Sequence, residues 1–370
     1  MTQVNRATGN YILFKNRKYN YFGGNNYLGL ADDPAVKEAA IRSIRQYGVN
    51  FSASRQTTGT SLIHLELEMQ LSAFKQKEDS VVFASGYMGN KILLQVLRNE
   101  YSAVFADEFS HPSIREGIPP DITRIFFYDH MAMSHLEMLL KKCRNFRPLI
   151  ITDGVFALTG EIAPLDQINK LAQKYYALVV VDDSHSTGIL GKNGRGTPEF
   201  FDLDNTEDLY QTETMSKAIG AYGGFISGNT DLISSIRKGS AAYQSSTALP
   251  PPVVSAGSAA LKIMKDNPLL RTRLLDTARE IRTGVAKLGF HTTPGIMPII
   301  PLMFRSPEKA KKLALFLEEN NIVVPFIRYP VKTRMHMVRI TASARHTQEQ
   351  TDDLLELLKK WRNTHGRGQD

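Results

Sequence analysis

The stretch ALVVVDDSH, residues 177–185, indicates the fold class of this chain of 370 residues. Five apolar residues lead directly into two aspartates, a serine and a histidine. A short apolar run without alternation is typical of a strand that is buried on both faces, as in a parallel sheet covered by helices. The run predicts such a strand, and its polar end is where open α/β sheets bind ligands.

The same pattern recurs upstream, where short apolar strands alternate with amphipathic helices at 88–100 and 165–176. Strands that alternate with helices predict an α/β fold with a mainly parallel sheet of about seven strands, covered by helices on both faces. The further strand candidates are 80–86, 102–108, 123–130 and 148–154.

The pattern changes after Pro250-Pro251-Pro252, where long helices dominate and a few strands remain, at 300–304 and 337–342. We therefore expect an N-terminal segment (1–40), a large domain (41–250) and a smaller α+β C-terminal domain (251–370). The N-terminal segment could pack on either domain.

Two helix starts are predicted in the C-terminal part. Ser306 followed by Pro307 combines a capping hydroxyl with proline at the first helical position. Thr347 and Gln350 have the spacing of a capping box.

Composition restricts the class of protein. The apolar fraction of 42% and the charged fraction of 22% are ordinary for a globular protein, and Cys143, the one cysteine, excludes an intramolecular disulfide. No signal peptide and no run of about 20 apolar residues is visible, so a cytoplasmic protein without a membrane segment is expected.

The net charge of +8 would attract anionic partners, but it is scattered. The densest clusters, Lys141–Arg144 and Lys359–Arg362, lie in amphipathic helical patterns and are predicted to be solvated helix faces. No nucleic-acid motif accompanies them, so no nucleic-acid partner is expected.

Asp182 and His185 are the first candidates for chemistry. An acid at the end of a buried strand is costly unless it has a cationic partner, such as the nitrogen of a heterocycle. His185 could reach a neighbouring polar group of the same ligand. Alternatively, Asp182 only caps the next turn.

Lys217 lies in the stretch TETMSKAIGAYGG, residues 212–224. It could form a Schiff base, while Thr214 and Ser216 could donate hydrogen bonds to a phosphate. A solvated charge at a helix start is the alternative interpretation.

Three more positions could complete a site. Gly86 lies between a strand and a helix, where backbone N–H groups can hold a phosphate, although such turns are common. His111 follows a strand and could stack on a flat ring, or be structural. Arg339 lies within an apolar strand and could bind a carboxylate, or form an internal salt bridge.

Together these residues predict a pyridoxal phosphate (PLP) site, with a lysine for the aldehyde, an acid for the ring nitrogen, a phosphate cup, a stacking ring and an arginine for an amino-acid substrate. No metal is expected.

The chain resembles the α-oxoamine synthases, within the fold-type I PLP enzymes, from about Asn25 to Arg362. Each motif is unspecific alone, but the ordered set is specific for the family. The motifs are Asn25–Leu30, Ser85–Tyr87, His111–Ile114, Thr152–Phe156, Asp182–Gly188, Thr214–Ala218, Ser246–Pro250 and Arg339–Thr341.

The resemblance implies a role for each residue. Lys217 would bind the cofactor covalently, Asp182 would pair with the pyridine nitrogen, His185 would contact the ring hydroxyl and His111 would stack on the ring. The phosphate would be held by Gly86, Tyr87 and Thr214, next to Ser216, and by Thr247 of a neighbouring subunit, because family sites lie at a homodimer interface. Asn25 and Arg339 would bind the substrate carboxylate.

The sequence departs from the family pattern in three places. Ala157 stands where serine usually helps bind the ring hydroxyl, which leaves that contact to His185. The segment Ser52–Arg55 is poorer in glycine than in some members. The N-terminus is shorter than in many members, which affects the predicted entrance for the acyl chain.

The resemblance implies a decarboxylating condensation of an amino acid with an acyl-CoA or acyl-ACP thioester. L-alanine with pimeloyl-CoA or pimeloyl-ACP, as in biotin synthesis, is the preferred expectation. Glycine with acetyl-CoA, as in 2-amino-3-ketobutyrate ligase, or another member's specialised aminoketone is the alternative. A catalytically silent relative is disfavoured because Lys217 and Asp182 are both retained. A transaminase is an alternative that an assay can separate.

Overall fold

The computed structural model describes residues 4–14, 16–327 and 336–365, which form two compact units. The large unit comprises 34–156 and 162–266. The small unit comprises the described residues before Pro34, the segment 157–161 and those from Asn267 onward.

Fourteen strands lie in the described ranges. They are β1 (Arg6–Ala7), β2 (Tyr11–Phe14), β3 (Arg17–Tyr21), β4 (Asp79–Phe83), β5 (Ala103–Asp107), β6 (Ile125–Tyr128), β7 (Pro148–Asp153), β8 (Leu178–Asp182), β9 (Leu209–Thr214), β10 (Gly224–Gly228), β11 (Ile299–Phe304), β12 (Ile322–Val323), β13 (Phe326–Ile327) and β14 (His336–Thr341).

Thirteen α-helices lie in the same ranges, besides one short 3-10 helix at Leu30–Asp32. They are α1 (Pro34–Tyr47), α2 (Leu62–Lys75), α3 (Tyr87–Val96), α4 (Pro112–Gly117), α5 (Met133–Lys142), α6 (Leu165–Tyr175), α7 (Thr197–Phe200), α8 (Thr230–Gly239), α9 (Ala241–Gln244), α10 (Pro251–Asp266), α11 (Leu269–Lys287), α12 (Pro307–Glu319) and α13 (Gln348–His365).

The large unit is built on one seven-stranded sheet in the order β4-β10-β9-β8-β7-β5-β6. The strands from β9 to β6 in this order pair in parallel, whereas β10 pairs antiparallel with both β9 and β4. The prediction of a mainly parallel seven-stranded sheet is confirmed.

Successive residues of each central strand are buried on opposite faces of this sheet, because side chains alternate along a strand. In β8, Val180 joins a core that includes α3, α4 and α8, whereas Val179 and Val181 join a second core that includes α5 and α6. Both faces are therefore apolar, which explains why the sequence of β8 shows no alternation.

The division between the units comes one helix later than the predicted boundary near residue 250. Helix α10 groups with the large unit because it packs against α1 and α2. The chain before Pro34 groups with the C-terminal part, where β3 pairs in parallel with β12. The sequence left the placement of that segment open.

The small unit contains two sheets, β1-β2-β3-β12 and β11-β14-β13, with helices α11, α12 and α13. Both predicted helix starts are present. The Ser306 hydroxyl accepts from the Lys309 N–H at 3.2 Å. Thr347 and Gln350 form a reciprocal capping box, in which each side-chain oxygen accepts the other's backbone N–H.

None of the helices in the described ranges is long and apolar enough to cross a membrane.

Candidate active site

The polar residues of the large unit collect at the carboxyl edge of the parallel strands. Asp107, Asp153, Asp182 and Thr214 are the last residues of β5, β7, β8 and β9. Asp153 and Asp182 stand in register across β7 and β8. Because parallel strands end at the same edge, residues far apart in sequence meet here.

Asp182 is buried, with 5% of its surface exposed, and its carboxylate is held by two donors. Oδ2 accepts from the Asn90 side-chain amide at 2.7 Å, and Oδ1 accepts from the Ser184 backbone N–H at 3.2 Å. The Asn90 carbonyl oxygen accepts from the Thr212 hydroxyl at 2.9 Å, so the amide presents its N–H groups to Asp182.

His111 caps the N-terminus of α4 and is half-buried. Its backbone N–H donates to Asp153 Oδ2 at 2.9 Å, and its Nδ1 lies 2.8 Å from the Ser113 hydroxyl. Nδ1 also accepts from the Ser113 backbone N–H at 3.3 Å, so in the neutral ring the proton is on Nε2. The Tyr87 ring meets the imidazole edge-on, with centroids 5.9 Å apart.

Lys217 is half-buried in the turn after β9. Burial lowers the pKa of His111, the charge of Asp182 raises that pKa, and the charge of Lys217 lowers it. These couplings bring the three predicted residues together in one electrostatic cluster.

Asp153 also belongs to this cluster. Burial, and then the charge of Asp182, hold the pKa of Asp153 well above its ordinary value, while the His111 N–H and the charge of Lys217 lower it. Two carboxyl groups in register at the ends of adjacent strands are not equivalent, and the direction of this shift favours a protonated Asp153.

The predicted phosphate-binding residues also adjoin one another. The Thr214 hydroxyl lies 3.1 Å from the Ser216 hydroxyl and donates to the Gly223 carbonyl at 3.0 Å. A Cβ at Gly86 would lie 2.6 Å from the Thr214 Cβ, so glycine is required for this approach of backbone to side chain. Tyr87 begins α3 directly after Gly86.

Two further predicted residues also belong to the large unit. His185 is buried in the turn that follows β8. Thr247 is exposed and forms an isolated antiparallel bridge with Ser54.

Asn25 and Arg339 meet in the small unit. Arg339 Nη2 donates to Asn25 Oδ1 at 3.1 Å, and Nη1 donates to the Ala157 carbonyl at 2.7 Å. Ala157, the position where the family usually has serine, therefore contributes its backbone to the setting of this arginine.

The opposite face of β8 and β9 carries a second set of buried acids, because adjacent residues in these strands point to opposite faces. Asp183 accepts from the Thr197 backbone N–H at 2.9 Å, the Thr197 hydroxyl at 2.6 Å, the Gln211 amide at 2.7 Å and the Ser186 hydroxyl.

Glu213 belongs to this second set and forms a buried ion pair with Lys75. Its Oε1 also lies 3.4 Å from the Thr187 hydroxyl, whereas Oε2 has no hydrogen-bond partner within the described part of the chain. Burial raises the pKa of Glu213 to about 7, against the opposing effect of Lys75.

Asn90, Ser113 and Asp153 connect the predicted residues, although the sequence predicted no role for any of the three. Ser113 and Asp153 lie within family motifs, and Asn90 lies in the predicted helix 88–100. Their contacts span up to 122 positions, from Asn90 to Thr212, and no local spacing signals such a contact.

Among the described residues, no group of three or more histidine, cysteine or acidic side chains could hold a metal ion.

Known proteins resemble the chain over nearly its whole length. The family described as aminotransferase class I and II matches residues 18–358. An 8-amino-7-oxononanoate synthase from Thermoanaerobacter pseudethanolicus is 36% identical over 363 residues, covering 97% of this chain and 92% of the relative.

Solved structures share the fold. A serine palmitoyltransferase from S. paucimobilis, with PLP and myriocin bound, has a TM-score of 0.92 at 26% identity, covering 98% of this chain and 92% of that one. An 8-amino-7-oxononanoate synthase from Francisella tularensis has a TM-score of 0.81 at 25% identity, covering 94% and 98%. The predicted fold class is confirmed. The chain belongs to the aminotransferase class I and II family, within its α-oxoamine synthase group.

Proposed function

We propose that this protein is a PLP-dependent acyltransferase that condenses L-alanine with a pimeloyl thioester and releases carbon dioxide, forming 8-amino-7-oxononanoate as in biotin synthesis. The 36% identity to a synthase of that name, over 97% of this chain, is the observation that carries the proposal. The cluster of Asp182, His111 and Lys217 supports it chemically.

The large unit fits the cofactor. Asp182 is a buried carboxylate with two fixed donors. A carboxylate accepts about four hydrogen bonds, so Asp182 could also accept one from a protonated ring nitrogen. The close approach of Gly86 to Thr214 forms a cradle that a side chain at position 86 would fill. Ser216 adjoins it, and the start of α3 at Tyr87 favours an anion there.

The remaining cofactor contacts follow from the same residues. Lys217 would bind PLP covalently, His111 would stack on its ring and His185 would contact the ring hydroxyl. PLP, when bound, supplies an electron sink for the substrate's α-carbon.

The chain's own residues then handle protons and charge. Lys217 Nζ, half-buried in the turn after β9, would accept the proton from the substrate α-carbon. The Asp182 carboxylate would pair with the ring nitrogen. His111, whose pKa burial lowers, contributes a neutral ring with its proton on Nε2.

Arg339 and Asn25 would bind the amino-acid carboxylate. Arg339 is 9% exposed, and two of its nitrogens hold the Ala157 carbonyl and Asn25. Its Nε has no hydrogen-bond partner among the residues that the structure describes, which leaves a buried donor for a carboxylate.

The protein would act as a homodimer with shared sites. Leu62, Leu65 and Met69 form an apolar stripe on α2 and are 75%, 47% and 66% exposed. An exposed stripe of this kind indicates a protein contact. Thr247, also exposed, would reach the phosphate in the partner subunit.

The net charge of +8 suits an anionic acyl carrier, either CoA or an acyl carrier protein. The expected location is the cytoplasm, where both carriers occur.

A substrate panel tests the proposal. Purified enzyme with added PLP is offered alanine, glycine or serine against pimeloyl and acetyl thioesters of CoA and acyl carrier protein, and thiol release is followed. Alanine with pimeloyl thioester is expected to react fastest. Preference for glycine with acetyl-CoA would replace the proposal with the ligase activity, and reaction with a keto acid without carbon dioxide release would indicate transamination.

Lys217→Ala provides the matched control. It is expected to abolish turnover while some cofactor binding remains, because phosphate and ring contacts persist. Normal activity of this variant contradicts the proposal.

A further inference from the structure

We infer that Asn90 is a positioning residue that fixes Asp182 and His111 relative to one another through a directed chain of hydrogen bonds. The inference rests on the proposed function, in which these two residues contact the cofactor.

Asn90 is fully buried in α3, and both ends of its side-chain amide are hydrogen-bonded. Its oxygen accepts from the Thr212 hydroxyl at 2.9 Å. Its nitrogen donates to Asp182 Oδ2 at 2.7 Å and to the Ser113 hydroxyl at 3.0 Å. One amide therefore connects β8, β9 and the start of α4.

The direction of the bonds is determined by the donors. Thr212 donates to the Asn90 oxygen, so the Asn90 nitrogen must face Asp182 and Ser113. The Ser113 oxygen accepts from Asn90, so its own hydrogen is available to His111 Nδ1 at 2.8 Å. Nδ1 is thereby held as an acceptor.

A second hydrogen bond, from the backbone of His111, also holds this residue at the sheet edge. The His111 N–H donates to Asp153, which stands in register with Asp182 across β7 and β8. The histidine is therefore attached to the sheet edge twice. Its position relative to Asp182 depends on Asn90 on one side and on the strand register on the other.

Replacing the amide with an isosteric carboxylate reverses this direction. In Asn90→Asp, no N–H is left for Asp182, and two carboxylates face each other. The Ser113 hydroxyl then donates to position 90, so Nδ1 loses this donor and keeps only the Ser113 backbone N–H. We expect PLP affinity to fall about 10- to 100-fold, as for loss of a hydrogen bond to a charged group.

Gln211→Glu is a matched control. It breaks a buried amide-to-aspartate bond of the same length, 2.7 Å to Asp183, on the opposite face of the sheet. If Asn90 only stabilises the fold, both variants lose PLP affinity and stability alike. If Asn90 positions the site, only Asn90→Asp loses affinity beyond its loss of stability.

A cofactor-free measurement separates this inference from the proposed function. In the protein without PLP, the His111 ring protons are titrated by NMR. The His111 midpoint is expected to rise in Asn90→Asp, because Nδ1 loses the Ser113 hydroxyl donor and the new carboxylate favours the charged ring, and to stay unchanged in Gln211→Glu. If the wild-type protein does not bind PLP, the proposed function is wrong, but the titration of His111 still tests the role of Asn90.

Thr212→Val covers the case in which Asn90→Asp does not fold. It removes the hydroxyl that orients the amide, with little change in volume. We expect a smaller loss of PLP affinity, about 3- to 10-fold. The inference is overturned if the His111 titration and PLP affinity match wild type in the folded variants, or if Gln211→Glu reproduces the losses.

Discussion

Asp182 and Asp183 are neighbours in sequence and both are buried, but they face opposite sides of the sheet and have different surroundings. Asp183 accepts from four donors, including the Thr197 backbone N–H. Asp182 accepts from two, Asn90 and Ser184. A carboxylate can accept about four hydrogen bonds, so Asp183 is saturated, whereas Asp182 retains capacity for a cationic ligand. The difference supports the proposal that Asp182 binds the cofactor and that Asp183 stabilises the fold.

Among these acids, Asp182→Asn has the largest expected effect on catalysis. The amide keeps the volume but loses the charge that would pair with the ring nitrogen, so kcat is expected to fall roughly 100-fold or more. The melting temperature should fall less than in Asp183→Asn, because only one of the two donors to residue 182 would face the amide N–H. Steady-state kinetics and thermal unfolding of the same preparation measure both quantities. An unaffected kcat would show that Asp182 does not pair with the cofactor.

Asp183→Asn should show the opposite pattern. It places an amide N–H against the Thr197 and Gln211 donors, so we expect the free energy of unfolding to fall by about 3 kcal/mol. Enzyme that remains folded should keep its PLP affinity. Urea unfolding and PLP titration test this, with the exposed Asp353→Asn as control.

Glu213 extends the comparison to pH. Burial raises the pKa of Glu213 to about 7 from 4.5, so the folded state binds the proton more tightly than the unfolded chain. Its stabilising contribution is therefore complete below pH 4.5 and is lost as pH rises to about 7, by at most about 3 kcal/mol.

Glu213→Gln should lack this dependence. The stability of wild type minus that of the variant, measured by urea unfolding at pH 5 and pH 8, is expected to be larger at pH 5. An equal difference at both pH values would contradict the shifted pKa.

The smallest effect is expected at Asp153. Burial and the charge of Asp182 hold the pKa of Asp153 well above its ordinary value, which favours its neutral form. Asp153→Asn keeps an acceptor for the His111 N–H and should change kcat by no more than about threefold. Asp153→Ala removes the acceptor and should lower kcat further. Equal losses in both variants would show that Asp153 acts as a charged residue.

The comparison also shows what the sequence could predict. Apolar runs such as the one that ends at Asp182 predicted the strands of the parallel sheet, since burial on both faces leaves a local signature. Ser306 and Thr347 predicted helix starts for the same reason, because capping bonds join residues three positions apart.

The partners of those acids were not predictable. Asn90 lies within a helix whose sequence only shows an amphipathic pattern, and its bond to Asp182 exists because α3 packs on β9, which lies beside β8 in the sheet. The placement of α10 was equally hidden, since three prolines favour a boundary locally but packing on α1 and α2 determines where the helix belongs.

Strand β4 has a consequence for the order of assembly during synthesis. It is the first strand of the large sheet to emerge from the ribosome, and it lies at the sheet edge, where its partner in the described part of the chain is β10, the last strand of that sheet. Pairing over so long a stretch of chain is slow. A nascent chain can therefore pair this edge, next to the turn with Gly86 and Tyr87, only after β10 has been synthesised.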